Sequence, residues 1–91
     1  MMYPLCKYED ETEVVFSNVR KKENEEEYMI ISFERTTEQG LDIVVFELPS
    51  YNITEKYGNY SEKEIEKFRK MVERGAHLFF KYAREGGLKF V

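Results

Sequence analysis

Ninety-one residues suffice for one domain with a real but modest core and are too few for two. With 42% hydrophobic and 15% aromatic residues the composition excludes a disordered chain, and a single Cys beside a single His excludes both an internal disulfide and a His/Cys zinc cage. The net charge of −4 conceals an asymmetry: residues 1–60 carry 6 Lys/Arg against 13 Asp/Glu, and residues 61–91 carry 8 against 5, so an acidic first part is joined to a basic last part.

Residues 2–8 are apolar-rich and short, and Pro4 has no N–H to give to a ladder, which places this segment as an edge strand. Cys6 lies between Leu5 and Lys7 and is expected to be a buried structural thiol. After an acidic turn at residues 9–12, residues 13–19 read as a strand with Val14 and Phe16 on one face and Val15 and Val19 on the other. The run RKKENEE at residues 20–26 reads as a solvated loop. Residues 28–35 alternate Met29, Ile31 and Phe33 against Tyr28, Ile30 and Ser32, the period of a central strand. A hairpin turn over residues 36–40, with Gly40 free to take positive φ, leads into a second central strand at residues 41–48, where Leu41, Ile43 and Val45 oppose Val44, Phe46 and Leu48. Both faces of that strand call for cover. Pro49 ends it, and residues 49–60 read as a recognition loop in which Tyr51, Tyr57 and Tyr60 are rigid amphipathic anchors and Asn52 and Asn59 supply hydrogen bonds. One of these tyrosines is also expected to pack at the start of the helix that follows.

That helix occupies residues 61–87. Ser61 and Glu64 form a capping box, Glu62 and Glu64 put negative charge at the positive end of the helix dipole, and Gly86-Gly87 after Arg84 supplies the stop. Its apolar positions span an arc of roughly 200°, where one sheet face needs only about 100°. The surplus flank, Met71, Leu78 and Tyr82, is expected to be buried only in an assembly, and Gly75 beside Ala76 to admit another backbone, from the sheet or from a second copy of the helix. A helix of about 25 residues spans roughly 37 Å and a seven-residue strand roughly 23 Å, so part of the helix should overhang the sheet. A last short strand is expected at residues 88–91. The order β-β-β-β-α-β describes a two-layer α+β fold: an antiparallel meander of four or five strands, covered on one face by a single long helix, in one domain over residues 1–91. The other sheet face is left for the N-terminal segment or a second subunit.

Chemistry is sparse. His77 falls on the polar side of the helix, four residues from Glu73 and from Lys81, and reads as a solvated imidazole. The paired carboxylates lie in turns where water solvates them alike, and there is no Gly-rich phosphate loop, HExxH or GxSxG. No catalytic residue, metal or cofactor is expected. The outer helix face carries Lys63, Lys67, Lys70, Arg74, Lys81 and Arg84, a stripe able to follow phosphates, but Glu66, Glu73 and Glu85 interrupt it and the chain's pI is about 5.1. No charged start leads into an apolar run, and runs such as residues 43–46 are too short to cross a bilayer, so a cytoplasmic protein without a membrane partner is expected.

The run FELPSYNIT followed by YSEKEIEKF resembles HicB-type antitoxins, in which a strand ends in a Leu-Pro turn and an acidic helix follows; Ser50 stands where that family has Gly. The resemblance implies a small acidic chain that binds or inhibits another protein. The expected function is therefore a non-enzymatic, self-associating protein-binding or regulatory module whose partners are a second copy and a further protein. The alternatives are an antitoxin-like inhibitor of a mobile element, a nucleic-acid-binding module using the basic helix face, and a small enzyme using His77.

Overall fold

The computed structural model describes residues 2–85, and within them the fold is the expected α+β sandwich, an antiparallel sheet under one C-terminal helix. Six strands, β1 (Met2–Lys7), β2 (Glu13–Ser17), β3 (Arg20–Lys21), β4 (Glu27–Thr37), β5 (Gly40–Leu48) and β6 (Ile53–Tyr57), precede α1 (Glu62–Glu85). The sheet runs β1-β2-β4-β5-β6, with β3 pairing the start of β4 off this path. The helix stop at Gly86-Gly87 and the strand expected at residues 88–91 lie outside the described residues.

The centre of the sheet is the β4–β5 hairpin, whose ladder runs unbroken from Met29 opposite Leu48 to Thr37 opposite Gly40. Its turn is Glu38-Gln39, and Gly40 takes φ 127° there, where a side chain would be strained. The period of two then does its work. Val14, Phe16, Met29, Ile31, Phe33, Val44, Phe46 and Leu48 form one fully buried face. Onto it α1 sets Ile65, Phe68, Val72, Phe79 and Ala83, a single stripe at helical spacing. Phe33 stacks on Phe68 at 4.2 Å between ring centroids and meets Phe46 edge-on at 5.8 Å, which locks strand to helix at mid-core.

Four expectations change. Residues 20–26 are not all loop: β3 pairs Arg20 with Tyr28 and Lys21 with Glu27, closing a short hairpin around the charged turn. It follows a bend at which the Ser17 hydroxyl takes the N–H of Ile30 in place of a ladder partner. Residues 53–57 are not loop either; they form the edge strand β6, pairing with Ile43–Phe46 of β5 across a register shift between Val45 and Phe46. The helix does not overhang, because burial continues from Ile65 to Ala83 and the 11-residue β4, roughly 37 Å long, matches a 24-residue helix of about 36 Å. Cys6 is exposed: β1 is an edge strand with a register shift between Pro4 and Cys6, so the alternation that would have buried the thiol is broken.

Candidate functional site

Along one flank of α1 runs an open groove of about 810 Å³ between the helix and Tyr8, the residue that follows β1. Its lining joins two sets of residues that the sequence presents separately. Met71, Leu78, Phe79 and Gly75 supply an apolar floor, and Lys63, Lys67, Lys70 and Arg74 supply a basic wall broken by Glu66. The spacing explains the coincidence, since Lys63, Lys67, Lys70 and Arg74 recur at i, i+4, i+7 and i+11 and therefore share one side of the helix. Leu78 is 43% exposed at this edge, one of the few large apolar side chains so open to water. Within the monomer no sheet backbone is among the atoms nearest Gly75. A Cβ there would sit 2.7 Å from Cζ of Phe79, so the glycine makes room for the ring one turn along its own helix, and that ring forms part of the floor.

The charges of the wall are largely unmet. Glu66 is paired with Arg69 at 3.4 Å, and Lys67 lies over the Tyr8 ring at 4.7 Å, while among the described residues Lys63, Lys70 and Arg74 have no carboxylate within ion-pair distance. Tyr8 itself is engaged twice, stacked on Phe68 at 6.1 Å with ring planes 9° apart and approached by Lys67. Burial also holds its phenol above the ordinary tyrosine range.

At the helix N-terminus one cation, Arg35, is met completely. The Arg35 guanidinium, from the end of β4, donates from Nε and Nη2 to Asp42 Oδ2 at 3.0 and 2.8 Å and from Nη1 to Glu64 Oε2 at 2.6 Å and Asp10 Oδ2 at 3.3 Å, and it lies 4.6 Å over the Tyr60 ring. Glu64 also closes the capping box, accepting the Ser61 N–H and seeing Ser61 accept its own, both at 3.1 Å. One carboxylate therefore caps the helix and ties it to the sheet. Asp42 is held below the usual carboxylate range by the Asn59 N–H at 2.7 Å and by Arg35, and Asp10 by Thr12 and Arg35. For Glu64, burial pushes upward, but Ser61 and Arg35 together outweigh it and leave the group low. Gly58 (φ 93°) completes the corner, because a Cβ there would lie 2.7 Å from both the Asp42 Cα and the Leu41 carbonyl oxygen. Thr12 Oγ1 and Tyr60 Oη are buried nearby and close enough to influence one another, yet neither makes a well-formed hydrogen bond to the described residues.

The remaining surface of note is the sheet face turned away from α1. Ladder register places Val15, Ser32, Val45 and Glu55 in one row across it and Glu13, Glu34, Ile43 and Tyr57 in the next, with Ile30 and Glu47 paired beyond them. Among the described elements none lies over this face. Val45 is nearly buried by its neighbours, whereas Leu41 and Tyr57 are 39% and 66% exposed. The N-terminal segment, one of the two covers expected, is instead the edge strand β1 in the same sheet.

The sequence-derived candidates are thus dispersed. Met71, Leu78, Lys63, Lys67, Lys70 and Arg74 meet in the groove. Tyr82 and Met71 already pack in part on the monomer's core, leaving Leu78 as the exposed member of the flank. Lys81 is exposed outside the groove, and Arg84 reaches Glu27 at 3.8 Å. Tyr60 is buried edge-on against Phe68 at 5.1 Å, which is the tyrosine packing expected at the helix start. Tyr51 is half-buried at φ 62°, its carbonyl taken by Arg69 at 2.9 Å, so it anchors the β5–β6 turn to the helix. Tyr57, Asn52 and Asn59 are exposed, on or beside β6. His77 is exposed and lines none of this groove. The sequence reading missed Tyr8 and the Arg35 cluster, although Asp42, an acid in register with the inward-facing Val44, Phe46 and Leu48, was a usable signal. Among the described residues no group of His, Cys, Asp and Glu is placed to hold a metal ion, and no helix is long and apolar enough to cross a membrane. Comparison with protein-family models, curated proteins and solved structures gives no match.

Proposed function

We propose that this chain is a non-enzymatic protein-binding module that associates with a second copy of itself through the outer face of its sheet. The observation that carries this reading is the composition of that face. An antiparallel sheet with one face in water normally alternates apolar-in and polar-out, yet here the outward positions of β2, β4 and β5 include Val15, Ile30, Ile43 and Val45. Two such faces stacked about 10 Å apart around a two-fold axis would bury Ile43 and Leu41 of both copies. Carboxylates of Glu13, Glu34 and Glu55, which share the rows of Ile43 and Val45, would then approach those of the other copy, so salt that screens them strengthens the dimer. Light scattering on a sizing column at micromolar concentration tests the reading. A dimer that tightens with salt and becomes a folded monomer on Ile43→Lys is expected; a wild-type chain that stays monomeric at every salt concentration contradicts it.

A non-enzymatic role is supported by the position of His77 on an open helix face, outside the helix-flank groove.

A further inference from the structure

The helix-flank groove has a shape and a charge pattern that the sheet-face dimer leaves unused. It extends from Lys63 to Phe79, roughly 24 Å along the helix axis, which suits a rod rather than a compact ligand. Its four cations recur along roughly 16 Å at helical spacing, and beside them the floor of Met71, Leu78 and Phe79 is apolar. A second copy of the same flank is a poor occupant, since a two-fold helix pair would bring two rows of Lys63, Lys67, Lys70 and Arg74 face to face. A nucleic acid fits the cations but not the floor. The aromatic side chain at the mouth, Tyr8, is already engaged, stacked on Phe68 at 6.1 Å and with the Lys67 ammonium 4.7 Å from its ring centroid, which makes it a poor platform for a base.

We propose that this groove binds an acidic amphipathic helix of a partner protein, with apolar side chains at i, i+3 or i+4 and i+7 seated on Leu78, Met71 and Phe79 and Glu or Asp side chains on the flank meeting Lys63, Lys67, Lys70 and Arg74. The charge complement is specific to this surface. It deepens the binding-module reading without resting on self-association, because the groove and the outer sheet face lie on different layers and respond to salt in opposite directions: screening weakens the groove complex and strengthens the dimer.

The test is fluorescence anisotropy with a labelled, capped helical peptide of about 18 residues, long enough to span the groove, bearing Leu on one stripe and Glu beside it. Three comparison probes accompany it: the same peptide with Lys for every Glu, the same with Gln for every Leu, and a labelled oligo-dT. The Glu/Leu peptide is expected to bind, to weaken steeply with salt, and to lose about tenfold or more in affinity on the double substitution Lys70→Glu with Arg74→Glu and on Leu78→Glu. Those side chains are exposed or half-exposed, and unchanged circular dichroism and oligomeric state of the variants confirm that the fold is intact. Binding of the Lys or Gln peptide equal to that of the Glu/Leu peptide, tighter binding of oligo-dT, no effect of either variant, or no binding of the Glu/Leu peptide at millimolar protein each overturns the proposal. The dimer reading is judged separately, by light scattering on the same samples.

Discussion

At the N-terminal end of α1 one guanidinium, that of Arg35, is shared by Asp10, Asp42 and Glu64, whereas on the flank of the same helix Lys63, Lys70 and Arg74 have no carboxylate within ion-pair distance among the described residues. The first cluster is closed at its centre: the Arg35 and Asp42 side chains are only 18% and 4% exposed, and the second oxygens of Asp42 and Glu64 accept the N–H groups of Asn59 and Ser61, while Asp10 reaches in from the surface. The second is open to water along its length. Charges whose partners are already present hold elements together, and here they join β4, β5, the β1–β2 turn and the helix start at one corner. Charges displayed without partners add little to stability and are available to a ligand. The same residue types thus serve the fold in one place and recognition in the other.

Acid should weaken the first cluster and with it the fold. Asp10, Asp42 and Glu64 all sit below their ordinary values in the folded state. Their contribution is therefore complete above the unfolded values near 4 and is lost as pH falls through the lower folded ones. Urea midpoints should be flat from about pH 7 to 5 and fall steadily below that; a midpoint that rose on acidification would contradict the assignment. A smaller effect is expected from Glu64→Gln, which keeps the reach to the Ser61 N–H but removes the charge facing Arg35, at a cost of about 1 kcal/mol in urea denaturation. If that substitution were neutral, the capping role alone would account for Glu64.

Much of this architecture is legible in the residues. The alternation in β4 and β5, the Gly40 turn and the Ser61–Glu64 capping box each have a local cause, and the structure places them where that cause acts. What was not legible depends on distant neighbours. β6, with the sequence ITEKY between Asn52 and Gly58, lacks an apolar pattern of its own and is a strand because the edge of β5 offers it a ladder. The exposure of Cys6 follows from a register shift that only the pairing of β1 with β2 creates. The groove was half legible. Helical periodicity identified Met71 and Leu78 on one flank and the lysines behind them, but the second wall, Tyr8, comes from a turn more than fifty residues earlier in the chain. The Arg35 cluster joins residues 10, 35, 42 and 64, and no local spacing relates those four positions.

The contrast between closed and open charge is tested most directly by measuring unfolding free energies of Arg35→Met and Arg74→Met side by side in urea. Arg35→Met strands buried Asp42 without its cation and is expected to cost about 3 kcal/mol, while Arg74→Met removes a cation with no partner and is expected to change stability by less than about 0.5 kcal/mol. Equal losses in the two variants would contradict the account.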